Sequence, residues 1–210
     1  MFSLQKLFSR DDLFFELLEA SADECRASVT ALRKIVGDRT GQVTLDEFAG
    51  PRRREKQINV KIAELMARVS VTSLEREDIE ALANAFYKIP KTLEKFAERY
   101  ILAAPELQDV DFARHVQLLD DATAITVEMI KQLRKSFDLE KTNELNGRLQ
   151  AIESEADKLI LDLVRTELYS RRHDALKVII LKDLYELLEK GVDRCRDAGN
   201  VVCEIVLKNS

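Results

Sequence analysis

The chain has 210 residues, 46% of them hydrophobic, enough for a real core, so a disordered chain is excluded as the starting view. With 34% charged residues, 6 Gly, 3 Pro and no Trp, long helices with few turns are favoured over a β-sandwich or barrel. A formal charge of −5 argues against nucleic-acid binding, which needs a basic surface, and three cysteines without C-x-x-C spacing give neither a disulfide framework nor a thiolate zinc site.

In chain order, the opening segment places Phe2, Leu4, Leu7 and Phe8 beside Lys6 and Arg10. It is too short in its apolar stretch for a secretory signal or a stable membrane anchor, and it can pack on the bundle or dock on a membrane protein. No apolar run reaches the length of a membrane span, so a cytoplasmic protein, peripheral at most to the inner face of the membrane, is expected. From Phe15 the positions Leu18, Ala22, Cys25, Val29, Leu32 and Val36 alternate by three and four, the mark of a helix with a coiled-coil-like seam, and Gly37 ends it. Pro51 marks the expected start of a second helix carrying Ile58, Ile62, Leu65, Met66 and Val69 inward. Beside it, Arg52, Arg53 and Arg54 form a local basic run, either a solvated helix start or a contact for phosphate or acidic headgroups. Thr72 and Ser73 offer N-cap hydroxyls for a third helix reaching to about Ala103, with Pro90 expected to kink it.

Residues 106–210 then repeat the order of residues 1–105. Leu17-Leu18-Glu19 falls over Leu118-Leu119-Asp120 at an offset of 101, and the same register carries Leu32-Arg33-Lys34 onto Leu133-Arg134-Lys135. The seam recurs as Val116, Leu119, Thr123, Thr126, Ile130, Leu133 and Phe137. Helices are expected from about Asp111 to Phe137, from about Lys141 to Ser170, and from about Asp174 to Leu207. The reading is therefore all-α: six long helices in two tandem antiparallel three-helix bundles.

The two copies differ in their acids. Glu153 with Asp157, and Glu189 with Asp193, are i,i+4 pairs, each presenting two carboxylates on one helix face. Opposite them the first copy keeps Glu55 but has Asn59, Asn84 and Lys88. On the last helix Glu186, Glu189, Asp193, Asp197, Asn200 and Glu204 form a stripe opposite the apolar arc, so these acids are expected to point away from the core. Glu153 and Asp157 flank their own apolar arc and can meet neighbouring acids at a groove. Two readings fit: a solvated face, with Lys182 and Arg196 near enough to neutralise it, or an exposed all-oxygen site for Mg, Ca, Mn or iron. A buried di-iron centre is argued against, since neither His115 nor His173 has an acid three residues before it, and both histidines are expected at the surface or boundary.

The segments Ile152-Glu153-Ser154-Glu155-Ala156-Asp157-Lys158-Leu159 and Leu184 to Asn200 resemble the PhoU-like proteins, in the branch encoded beside low-affinity inorganic phosphate (Pit) transporters. The run Thr72-Ser73-Leu74-Glu75-Arg76-Glu77-Asp78-Ile79 is similar to a turn of that family with Ser73 in place of its proline, and the opening Met-Phe-Ser-Leu fits as well. The resemblance implies two related three-helix bundles with Glu-x-x-x-Asp motifs that in relatives hold iron or zinc at the surface. It carries Glu153, Asp157, Glu189 and Asp193 over as metal ligands, with Glu186 and Asp197 as further candidates and Arg52, Arg53 and Arg54 as candidate partner contacts. Asn59, Asn84 and Lys88 oppose a second cluster, so one metal site or none is expected. The implied function is a cytoplasmic regulator or accessory protein of phosphate transport that acts by binding, with a Pit-type transporter as partner and homo-oligomerisation open. No nucleophile–base pair, Gly-rich phosphate loop or Walker lysine marks an enzyme. The alternatives are a metal-free helical adaptor and a metal-dependent phosphoesterase.

Overall fold

The computed structural model describes residues 4–38, 44–69, 72, 74–168 and 174–210, and for 4–11, 167 and 168 it describes the backbone alone. The apolar side chains of the opening segment, His173, Ser73 and Ser170 thus lie outside the described side chains. Six helices account for most of the chain: α1 (Leu4–Gly37), α2 (Asp46–Arg68), α3 (Arg76–Ala103), α4 (Ala113–Lys135), α5 (Leu139–Leu163) and α6 (Ala175–Asn209), and the described residues contain no strand. A 3₁₀ turn, Ala104–Glu106, separates the two repeats, and α5 runs on into a π turn, Val164–Leu168.

Seam residues of both repeats are buried as their spacing predicts, from Leu18 to Leu32 on α1 and from Val116 to Leu133 on α4. The two threonines of the second seam are accommodated because each hydroxyl donates to its own helix, Thr123 to the Leu119 carbonyl at 2.9 Å and Thr126 to that of Ala122 at 2.8 Å. Asp138 and Asp174 cap α5 and α6, accepting from the backbone N–H groups of Lys141 and Lys177 at 3.0 Å.

Two boundaries differ from expectation. α2 begins at Asp46, so Pro51 lies inside the helix rather than at its start, and acids Asp46 and Glu47 occupy the first turn. At α3 the expected hydroxyl cap is not formed by Thr72, whose side chain donates to the Leu74 carbonyl, and Glu75 stands at the N-cap without a side-chain capping bond, its carboxylate accepting from Lys208 instead.

Pro90 removes the N–H that would bond the Phe86 carbonyl four residues back. The Cys25 thiol on α1 reaches that carbonyl at 3.5 Å and the Ser21 carbonyl at 3.3 Å. Its single proton can serve one of them at a time. All three cysteines are free and buried, as expected of small apolar residues.

The repeats pack through equivalent helices. α1 lies antiparallel on α4 and α3 antiparallel on α6, making a central four-helix layer with α2 outside one edge and α5 outside the other. Ion pairs across this junction are reciprocal: Arg33 holds Asp120 at 3.0 Å, and Arg134 holds Glu19 at 3.1 Å. Each pair is the other moved by the offset of 101, the signature of an internal two-fold, in which residue i meets j and j meets i. Asp78 and its counterpart Asp183 likewise each receive a cation from the other repeat, Lys208 at 2.7 Å and Arg99 respectively. One hydrophobic core runs through both repeats.

Candidate functional site

α5 packs along α6, and this places the acidic stripe of α6 differently from the helix-angle reading. Glu189, Asp193, Asp197 and Asn200 are half-buried along a groove between the two helices, while Glu186 and Glu204 remain exposed. Glu153 reaches into the groove from α5, 17% exposed, with Asp157 one turn further along at the rim.

The four acids taken from the i,i+4 motifs converge. Burial, followed by the charges of Asp193, Asp157 and Glu153, pushes the Glu189 carboxyl up to about 7. Between the two helices stands Arg196, whose guanidinium bonds Glu153 and lies 3.5 Å from Asp193 and 3.7 Å from Asp197. Asp197 is also held by Arg194 at 2.9 Å, and Glu186 pairs with Lys182 one turn before it. Of the two further candidate ligands, both are therefore engaged by basic side chains.

Four carboxylates supply only hard oxygen donors, which suit a hard cation. The Glu189 carboxyl is raised first by burial and then by its acidic neighbours, and the single charge of Arg196 is shared among these carboxylates. Among the described residues, however, no three His, Cys, Asp or Glu side chains are gathered as a ligand set. Arg196 spans the space between Glu153 and Asp193, so a metal ion there would take those two carboxylates from the guanidinium. The donor chemistry fits a cation, with Arg196 as its resident competitor.

The corresponding groove of the first repeat is closed. Glu55 is fully buried and accepts from the Ser21 hydroxyl at 3.1 Å, with Arg52 at 3.5 Å; burial, only partly offset by Ser21 and Arg52, pushes its carboxyl up to about 6. Arg52 is tied further to Glu94 at 3.0 Å and the Tyr87 hydroxyl at 2.9 Å, and its guanidinium sits 4.4 Å from the Tyr87 ring centre. Asn59 donates to the Ala83 carbonyl at 3.3 Å, and Asn84 and Lys88 are exposed. Arg54 grips Glu24 at 2.6 and 2.9 Å. Of the basic run only Arg53 is exposed without an ion pair among the described residues.

Sequence reading did not foresee this sealed cluster, yet Glu55 falls in the inward register of Phe48, Pro51, Ile58 and Ile62, and an acid in a core register needs a partner. His115 is likewise not at the surface: it is 5% exposed and stacks on Tyr185 with ring centres 5.0 Å apart. Burial lowers its imidazole to about 4, against the weaker pull of Asp111. Its spacing three residues before Leu118 and one turn before Leu119 on α4 was the available signal.

The protein shares this architecture with solved structures. A PhoU-like protein from Shewanella oneidensis MR-1 superposes with a TM-score of 0.81 at 16% identity, over 93% of this chain and 99% of that one. The chain has the PhoU-like fold. A second structure from the same organism, named for a PhoU-like phosphate regulatory protein, gives 0.73 at 17% identity over the same shares, 93% and 99%. In sequence, the chain is 26% identical over 179 residues to the UPF0111 protein YkaA of Bacillus subtilis (strain 168), covering 81% of this chain and 84% of YkaA. No protein-family model matches. Among the described residues no helix is long and apolar enough to cross a membrane.

Proposed function

We propose that this PhoU-like chain is a cytoplasmic regulator or accessory protein of inorganic phosphate transport, that it acts by binding, and that its partner is a low-affinity Pit-type transporter. The convergence of Glu153, Asp157, Glu189 and Asp193 on one groove carries the binding part of the reading. The fold shared with PhoU-like structures supports the phosphate part. In this reading the groove of the second repeat takes one divalent or ferric cation, of which iron, zinc, Mg, Mn and Ca are the candidates, and the first repeat serves as scaffold. A bound cation would supply charge neutralisation. The chain's own residues would hold it: Glu153 and Asp193 would turn from Arg196 to the ion, with Asp157 and an ionised Glu189 beside them.

A second reading is favoured by Arg196 itself. If the guanidinium is the permanent counter-ion, the protein is a metal-free helical adaptor and the groove is only a packed interface. Affinity purification of the tagged protein from membranes tests the transport reading, joined to phosphate uptake in cells lacking the gene. The reading expects a Pit-type transporter to co-purify and uptake to change. Unaltered uptake with no transporter recovered would sink it.

A further inference from the structure

The two repeats present opposite charge at equivalent places. At an offset of 105, Asn84 and Lys88 stand in the first repeat where Glu189 and Asp193 stand in the second, and Lys91 stands where Arg196 does. On α3, Lys88, Lys91 and Lys95 follow one another by three and four residues, so they form one stripe, and all three are exposed. α2 is fixed beside that stripe by Arg52, which bonds Tyr87 and Glu94, and by Asn59, which bonds the Ala83 carbonyl. Lys56 lies between those two positions on the same side of α2 and is exposed, so it faces the stripe across the closed groove, with exposed Arg53 one turn before it.

The charges on this face are unequal in sign. Arg52, Arg53, Lys56, Lys88, Lys91 and Lys95 meet only two acids within the same stretches: Glu94, paired with Arg52 at 3.0 Å, and Glu55, sealed beneath. Arg54 turns to the other side, where Glu24 of α1 cancels it, and Lys61 and Glu64 cancel further along α2. Including Glu80 and Glu98, one turn outside the stretch at either end of α3, leaves six positive and four negative charges, a net +2 on a chain of net −5. None of Arg53, Lys56, Lys88, Lys91 and Lys95 makes an ion pair among the described residues. Lys91 instead holds its ammonium 5.6 Å from the centre of the Tyr87 ring.

The spread of these cations selects the occupant. Lys88 and Lys95 stand about 10 Å apart along α3, and α2 sets Lys56 about 8–10 Å to the side. One orthophosphate does not bridge such a spread, whereas several phosphates joined in one anion meet several ammonium groups, each further contact being made at high effective concentration. Ammonium point charges suit phosphate; a carboxylate-bearing protein segment is better held by arginine forks around an apolar centre. Val60 is the one large exposed apolar side chain on these stretches of α2 and α3. A second copy fits less well, because the acids of its α5–α6 groove are already shared with Arg194 and Arg196.

We propose that this face of the first repeat, with Lys56 on α2 and Lys88, Lys91 and Lys95 on α3, binds an anion made of several linked phosphate groups. This goes beyond the transport reading, which leaves the first repeat a scaffold, and does not rest on it, since the acid groove takes no part.

Titration calorimetry of the whole protein tests it, with tripolyphosphate, ATP, orthophosphate and an oligoglutamate peptide, in a chelator that keeps metal out of the acid groove. Tripolyphosphate or ATP is expected to bind roughly 10-fold or more tightly than orthophosphate, and to weaken at high salt. Lys56→Gln/Lys88→Gln/Lys91→Gln is expected to lose roughly 10-fold or more of that binding, the equivalent of about one charge-assisted contact, with its helical circular dichroism unchanged because all three sites are exposed. Lys61→Gln/Lys131→Gln, at exposed lysines off this face, is expected to bind like the unsubstituted chain. Tighter binding of ATP than of tripolyphosphate names a nucleotide as the source, and the reverse names an inorganic chain; both uphold the proposal. Absence of binding by either overturns it, as does equal binding by the triple variant or equal affinity for orthophosphate. Oligoglutamate bound as tightly as tripolyphosphate assigns the face to an acidic peptide and overturns it too.

Discussion

At the scale of single residues, the groups that matter most sit where charge and burial conflict. His115 is buried neutral, with its imidazole lowered to about 4. Below pH 6.5 the unfolded chain takes up a proton that the folded chain refuses, so this contribution to stability is complete above 6.5 and is lost as pH falls toward 4, on the order of 3 kcal/mol in all. Glu55 works in the opposite direction: its carboxyl near 6 binds protons in the fold before it does in the unfolded chain, so it offsets part of the loss between pH 6 and 4.5. Glu189, near 7, acts in the same direction as Glu55, so the His115 contribution is read as a difference: from pH 7 to 5 the denaturant midpoint of the natural chain is expected to fall relative to that of His115→Phe, and parallel pH profiles of the two would contradict the assignment. Arg52→Ala removes the cation beside buried Glu55 together with its bonds to Glu94 and Tyr87, and should cost about 3 kcal/mol in urea unfolding. Arg53→Ala, on the member of the run that is exposed without an ion pair among the described residues, should change stability by less than about 0.5 kcal/mol in the same assay.

At the scale of elements, two glycines let α6 lie close to its neighbours. A Cβ at Gly199 would stand 2.6 Å from a methyl of Leu149, and one at Gly191 would stand 2.8 Å from a methyl of Leu119 and 3.1 Å from one of Leu93. All three leucines are fully buried and have little room to yield. Gly199→Ala and Gly191→Ala should thus each lower stability by about 1–3 kcal/mol despite alanine's better helix propensity, read as a drop in thermal midpoint. The helices themselves were legible from the alternation of apolar residues by three and four, because that period is a property of one helix alone. Much of what decides the site was not, because it belongs to pairs of helices. Placing residues around an isolated α6 put the acids on an open face, and only the packing of α5 turns that face into a half-buried groove. The reach of Arg196 to Glu153, and of Cys25 to the carbonyl freed by Pro90, depend in the same way on which helix lies alongside. Glu55 was readable in principle from its inward register, while its partners Ser21 and Glu94 come from other helices.

At the scale of the whole molecule, reciprocal ion pairs relate the two halves by an internal two-fold, and the halves differ in chemistry. Because α1 packs on α4 and α3 on α6, each repeat alone would expose a large apolar face. Residues 1–105 and 106–210 expressed separately are expected to lack cooperative thermal unfolding and to regain it on mixing; two independently cooperative halves would contradict a shared core. The unequal grooves follow from the same architecture. In the first repeat the one acid retained, Glu55, is sealed under the Ser21 hydroxyl, with the half-buried guanidinium of Arg52 3.5 Å away. In the second, four acids share one guanidinium, that of Arg196, a formal excess of negative charge when all four are ionised. The central claim is that a cation meets it. Metal analysis of the protein purified without chelator, beside Glu189→Gln/Asp193→Asn, tests this most directly: the account predicts metal retained by the natural chain and lost from the variant, and equal metal content in the two would contradict it.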